Sequence, residues 1–136
     1  MVENSIGQGR TAVAAATEFM AKGIKLRLSE PTPEELSDAW YELVEAHVAA
    51  LERGQKSNDE ALYHILLDDW PRARSCGLGE PEREGVAARF RYLVAACLVY
   101  AETGQPVFRS AADYKARQNE PLAVAALPHL QRAFPS

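Results

Sequence analysis

Ile24-Lys25-Leu26-Arg27-Leu28 alternates apolar and basic side chains, the period-two pattern of a half-buried strand. How this stretch is read decides the fold class. A strand needs a partner, and no other segment offers a second convincing strand pattern. The stretch is therefore read as an extended link or a helix continuation, and the chain as all-α. Just before it, Val13, Thr17, Met20 and Ala21 mark one face of a helix expected from about Arg10 to Lys22, with Gly23 as its stop. Residues 1–9, MVENSIGQG, have no periodicity and two glycines, which predicts a flexible tail.

Downstream, Thr32-Pro33-Glu34-Glu35 carries the strongest local signal. Thr32 can cap a helix, Pro33 suits its first position, and Glu35 completes a capping box. The helix is expected from Pro33 to about Arg53, with Leu36, Trp40, Leu43, Val44, His47 and Leu51 as its inward stripe. Ser57-Asn58-Asp59-Glu60 reads as a second capping box. It opens a helix through about Trp70, with Leu62, Ile65, Leu66 and Trp70 inward and Pro71 ending or kinking it. Residues 71–81 hold two prolines and two glycines and read as a loop. The most apolar helix follows, from about Glu82 to Glu102. Two short helices close the chain, from Ser110 to about Gln118 and from Pro121 to about Ala126, with Pro128 an interruption. Short links between amphipathic segments predict an antiparallel bundle of five or six helices, one domain over 10–136.

A chain of 136 residues fits one domain, and 47% apolar with 25% charged side chains is ordinary for a folded soluble one. No stretch approaches the ~20 apolar residues of a membrane span, and no signal-peptide core is evident. Cys76 and Cys97 are too few for a disulfide scaffold. Free thiols in the cytoplasm are expected. Arginine outnumbers lysine 11 to 4, a bias that points toward a GC-rich bacterial genome. The net charge of −4 disfavours nucleic acid as the main partner. That value hides an uneven spread. Residues 30–69 carry eleven acidic and two basic side chains, whereas the flanking segments are both net positive.

Five groups of residues are candidate sites. Glu35, Asp38, Glu42, Glu45 and Glu52 share one face of the 33–53 helix with no base among them before Arg53. Like charges at such spacing cost stability, so a face that keeps them suits a basic partner; a merely solvated face is the plainer reading. Asp68-Asp69-Trp70-Pro71-Arg72-Ala73-Arg74 places two acids at the negative end of the expected helix. It also offers Trp70, Arg72 and Arg74, residue types common at binding hot spots. The plainer reading is a kinked helix with the aspartates paired to the arginines and Trp70 in the core. His64 and Asp68 stand four apart and supply two metal ligands with no third in view. His47, on an apolar face, reads as a satisfied core histidine. Cys76, two residues after Arg74, sits in a setting that would favour a thiolate, but nothing places a histidine beside it; Cys97 reads as core. The helix pair around Gly54-Gln55-Lys56-Ser57 resembles a DNA-reading motif in outline only, and its second helix is acidic.

These observations predict a small non-enzymatic regulator that docks on another protein and inhibits or stabilises it, of the immunity-protein, antitoxin, anti-activator or chaperone type. Glu35, Asp38, Glu42, Glu45, Asp68, Asp69, Trp70, Arg72 and Arg74 are its expected contacts. No cofactor or metal is assigned, no membrane association is expected, and a homodimer is compatible with the pattern. Two alternatives stand: a regulator that takes a small ligand or nucleic acid between helices, and a helical enzyme using His64 and Asp68.

Overall fold

The computed structural model describes residues 16–136. The expected tail, 1–9, and the expected helix over residues 10–15 lie outside them. The described chain is mostly helical but not all-α. Six helices are joined to a three-stranded antiparallel sheet in the order β1-β2-β3. β1 is Ala16–Ala21 and β2 is Ile24–Ser29, so the alternating stretch is a strand after all. Its partner is the segment expected to be helical. Lys22 and Gly23 both have positive φ, 51° and 76°, the geometry of a two-residue hairpin turn whose twist matches the strands it joins. The turn sets the register, with Phe19 opposite Leu26 and Ala21 opposite Ile24. Phe19, Ala21, Leu26 and Leu28 then face the core while Glu18, Met20 and Lys25 face out.

α1 (Pro33–Glu52) begins as its sequence dictates. Glu35 N–H donates to Thr32 Oγ1 at 3.1 Å, and Thr32 N–H donates to Glu35 Oε1 at 2.9 Å. α2 (Asp59–Leu66) is shorter than expected. Its cap is Asn58, which accepts from Glu60 and Ala61, so the expected Ser57 capping box does not form. Asp68, at φ 62°, breaks the helical path. α3 (Trp70–Cys76) starts afresh, with Asp69 accepting from Arg72 N–H. Pro71 therefore falls in the first turn of a helix, where proline is tolerated, and residues 71–76 of the expected 71–81 loop belong to α3. α4 runs Glu80–Cys97. Its apolar continuation, Leu98–Tyr100, is β3 and pairs with β2, so the expected 82–102 helix stops five residues early. α5 (Ala111–Arg117) keeps the Ser110 start. α6 (Pro121–Ala133) runs through Pro128 to Ala133.

One core lies between the sheet and α4, α5 and α6, built from Phe19, Leu26, Leu28, Phe90, Leu93, Val94, Leu98, Phe108, Leu130 and their neighbours. A second, smaller cluster joins α1–α4 through Leu43, Ile65, Ala73 and Val86, with Trp40, Trp70 and Leu78 at its edge. α1 and α4 run antiparallel: His47 meets Glu82, Leu43 meets Gly85, Trp40 meets Arg89, and Asp38 meets Tyr92. At Gly85 a Cβ would come within 2.9 Å of the Leu43 carbonyl oxygen. Only small side chains permit so close an approach, which explains why α1 buries Ala39 and Ala50 beside Leu43 and His47.

Candidate functional site

The close α1–α4 contact leaves the larger apolar side chains of α1 on its outer side. Tyr41 is 68% exposed, Val44 47%, Val48 44% and Leu51 42%. The expected inward stripe is corrected here: Leu43 and His47 are buried, Trp40 is half-buried, and Leu36, Val44 and Leu51 are exposed. At about 100° per residue, the core takes an arc of about 80°, and Tyr41, Val44, Val48 and Leu51 take a neighbouring arc of about 80°. Tyr41, Val44, Val48 and Leu51 are spaced three, four and three apart, the spacing of a helix–helix seam. Asp38, Glu45 and Glu52, seven apart, border that seam on one side. The buried face of α1 borders the other.

The acidic row carries its charge uncompensated. Among the described residues, no ion pair joins Glu34, Asp38, Glu42, Glu45 or Glu52 to a basic side chain. Its field is felt on α4, where the Tyr92 hydroxyl donates to Asp38 Oδ2 at 3.1 Å. Burial, that hydrogen bond and the charges of Asp38, Glu35 and Glu42 push the Tyr92 hydroxyl up to about 12. Glu35 and Glu42 are half-buried beside this contact, while Asp38 and Glu45 are exposed. Glu35 is also committed to its cap.

The Asp68–Arg74 segment is ordered by its own contacts. Asp69 stands at the N-terminus of α3, the favourable end of a helix dipole, so of the two aspartates only Asp68 stays beside the C-terminal end of a helix. Asp69 also pairs with Arg72 at 3.7 Å. Asp68 Oδ1 accepts from Trp70 Nε1–H at 2.5 Å. Trp70 stacks on Trp40, ring centroids 6.1 Å apart, and the buried Arg89 guanidinium lies 4.7 and 5.3 Å from the two ring centres. Two of its nitrogens have no hydrogen-bond partner. The ring faces supply the attraction instead, worth about 2 kcal/mol when desolvated. Arg74 donates to the Ser136 carbonyl at 2.6 Å.

The buried Glu82, which sequence reasoning passed over, holds the ends of α1, α2 and α4 together. It accepts from Asn58 N–H and Gly79 N–H at 2.8 Å, from Ser57 Oγ at 2.6 Å, and from His47 Nε2 at 2.8 Å. Burial alone would raise this carboxyl, but the donors outweigh it and hold it below the usual carboxylate range. His47 is thus the satisfied core histidine its apolar face suggests. The visible signal for Glu82 was its place three residues after Gly79, where a carboxylate can reach back to the free N–H at a helix start.

Cys76 ends α3. Burial, followed by the Glu60 carboxylate, pushes its thiol up, the reverse of the activated thiolate its sequence neighbours suggested. Cys97 is buried in the main core as expected. Asp68 lies beyond the end of α2, so the expected i,i+4 pairing with His64 is not made on a helix. A cleft of about 520 Å³ opens between α4, α5 and α6, with Val86, Phe90 and Leu127 on its walls and Arg83 and Arg91 among its polar groups.

Compared with family models, curated proteins and solved structures, the chain has no significant match. No helix among the described residues is long and apolar enough to cross a membrane.

Proposed function

We propose that this chain is a protein-binding regulator that docks a basic amphipathic helix of its partner along α1. The observation that carries this reading is the pairing of an exposed seam with an acidic border: Tyr41, Val44, Val48 and Leu51 beside Asp38, Glu45 and Glu52. The partner helix would bury the seam and set lysines or arginines against the acidic row, as flanking charges select partners in coiled coils. A second copy of this chain fits worse. Two α1 helices packed antiparallel on this seam would bring their acidic rows together, and packed parallel would leave each row without a basic counterpart. Asp68, Asp69, Trp70, Arg72 and Arg74 act at one remove, fixing α3 and the Trp40 edge of the face.

Affinity capture from lysate of the source cell tests this reading, using wild type, Val44→Ser/Val48→Ser and Glu45→Lys/Glu52→Lys chains at low and high salt. A stoichiometric partner held through a basic amphipathic helix should be lost with the serine pair. It should weaken with the lysine pair and with salt, since exposed charges are screened beyond about 10 Å at 0.1 M. Capture indifferent to both pairs would overturn the proposal. A second reading rests on the α4–α5–α6 cleft, whose volume is in the range of small-ligand sites, about 300–1,000 Å³. Stabilisation against heat by an anionic apolar compound, abolished by Phe90→Ala and Arg91→Ala, would favour it.

A further inference from the structure

A ring nitrogen of His64, the Cys76 thiol and a Glu60 carboxylate oxygen all lie within 4.8 Å of one another. It is the one such group of three ligands that the described residues form. Glu60 and His64 stand four apart and share a face of α2. Cys76 comes from the other helix, so the group exists only because α3 folds back on α2. The Asp68 break and the Asp69 cap set that return. Asn58 then locks it: its Nδ2 donates to the Cys76 carbonyl at 3.0 Å and to the Gly77 carbonyl at 2.6 Å. The cysteine backbone is thereby tied to the N-terminus of the helix that carries the other two side chains.

We propose that Glu60, His64 and Cys76 bind a divalent transition metal, zinc by chemical preference, with the fourth position left to water. One sulfur, one nitrogen and one oxygen donor suit a borderline cation and disfavour calcium or magnesium, which take oxygen ligands. Tetrahedral zinc, with bonds of about 2.0–2.3 Å, sets its ligand atoms about 3.3–3.7 Å apart. The three side chains, which lie within 4.8 Å of one another, would draw together on binding. His64 Nδ1 is buried with no hydrogen-bond partner, so the ring has unused bonding capacity. The Asn58 contacts also hold the Cys76 backbone in place. A nucleophilic cysteine is the weaker reading of the same atoms. A carboxylate beside a thiol opposes its ionisation, whereas a cation would draw both groups together as ligands. The site is independent of the docking reading, because none of its residues lies on α1.

Titration of the metal-free 136-residue chain with Co²⁺ and then Zn²⁺ tests the site. One equivalent of Co²⁺ should give a near-ultraviolet thiolate-to-metal band with the strong visible absorption of tetrahedral coordination, and Zn²⁺ should bleach both. Cys76→Ser should abolish the thiolate band. His64→Gln and Glu60→Gln should each weaken binding by roughly tenfold or more, the scale set by outer-shell losses. His129→Gln should leave binding unchanged, because that ring stacks on Phe19 outside the group. Circular dichroism establishes that each variant is folded. A folded wild-type chain that shows no thiolate band, or a band that survives Cys76→Ser, would overturn the site.

Discussion

The two buried clusters hold their helices by different physics. Around the sheet, α4, α5 and α6 contribute phenylalanines, leucines and valines, and the contacts are almost wholly apolar. At the α1–α3 end the buried apolar cluster is Leu43, Ile65, Ala73 and Val86 of α4, and the other fully buried apolar side chains of α1 and α2 are alanines. There, a carboxylate with four donors and a guanidinium over two indoles supply what side-chain volume does not. A small apolar cluster bounded by polar contacts is the less forgiving arrangement, because removing one partner leaves several buried groups unsatisfied. It is also the end that bears the acidic seam and the Glu60–His64–Cys76 group. The larger core acts as a platform, and the candidate chemistry sits on the part held by specific contacts.

The sharpest way to break this comparison is a pair of substitutions. Glu82→Ala strands Ser57, Asn58, Gly79 and His47 and is expected to cost about 3–5 kcal/mol, the scale of a broken buried pair. Leu93→Ala, in the main core, is expected to cost about 2–5 kcal/mol. Chemical denaturation measures both. Native-state hydrogen exchange should show that Glu82→Ala lowers protection in α1–α3 while the sheet amides stay protected. Equal loss throughout the chain would mean that the two clusters unfold as one unit. Acid probes the same carboxylate. Glu82 titrates lower in the folded chain than in the unfolded one, so its ionised form stabilises the fold. That contribution is complete above the unfolded value of about 4.3 and disappears as pH falls through the lower folded value. The acid-induced loss of protection should appear first in α1–α3, and Glu82→Gln should flatten it.

Smaller effects test the geometry between the regions. Gly85→Ala places a methyl against the Leu43 backbone and should cost about 1–3 kcal/mol as α1 is pushed from α4. Tryptophan fluorescence should report that movement through Trp40. Asp69→Ala removes the α3 cap and should cost about 1 kcal/mol. It should also loosen Cys76 at the other end of α3 and weaken Co²⁺ binding, which ties that site to the fold of the segment.

Local chemistry made α1 legible. Thr32, Pro33 and Glu35 lie within one turn and settle the start of the helix without help from the rest of the chain. The expected end at Arg53 differs from the observed Glu52 by one residue. The face of α1 was not legible in the same way. Its apolar arc is wider than the core can cover, and the choice of Ala39 and Ala50 over Val44 and Leu51 depends on Gly85, some forty residues away. The acidic row was visible as spacing, and so was the Tyr41-Val44-Val48-Leu51 seam. The second is hidden from a reading of the sequence that points large apolar residues inward. The sequence pairs His64 with Asp68 as readily as with Glu60, since a continuous helix through Trp70 would make the two pairs equivalent.

The sequence by itself determined where most helices start, which segment is acidic, and that residues 24–28 alternate. These are properties of neighbours within a turn or two: caps, charges and period. Tertiary structure alone decided that Ala16–Ala21 is a strand and that Leu98–Tyr100 leaves its helix to join the sheet. Each of these segments has a local preference worth only tenths of a kcal/mol per residue, and sheet pairing or burial against distant residues outweighs it. Tertiary structure also collected Glu82 with its four donors, and Cys76 with Glu60 and His64. Such groups depend on how elements far apart in the chain meet, and spacing along the sequence carries no record of that.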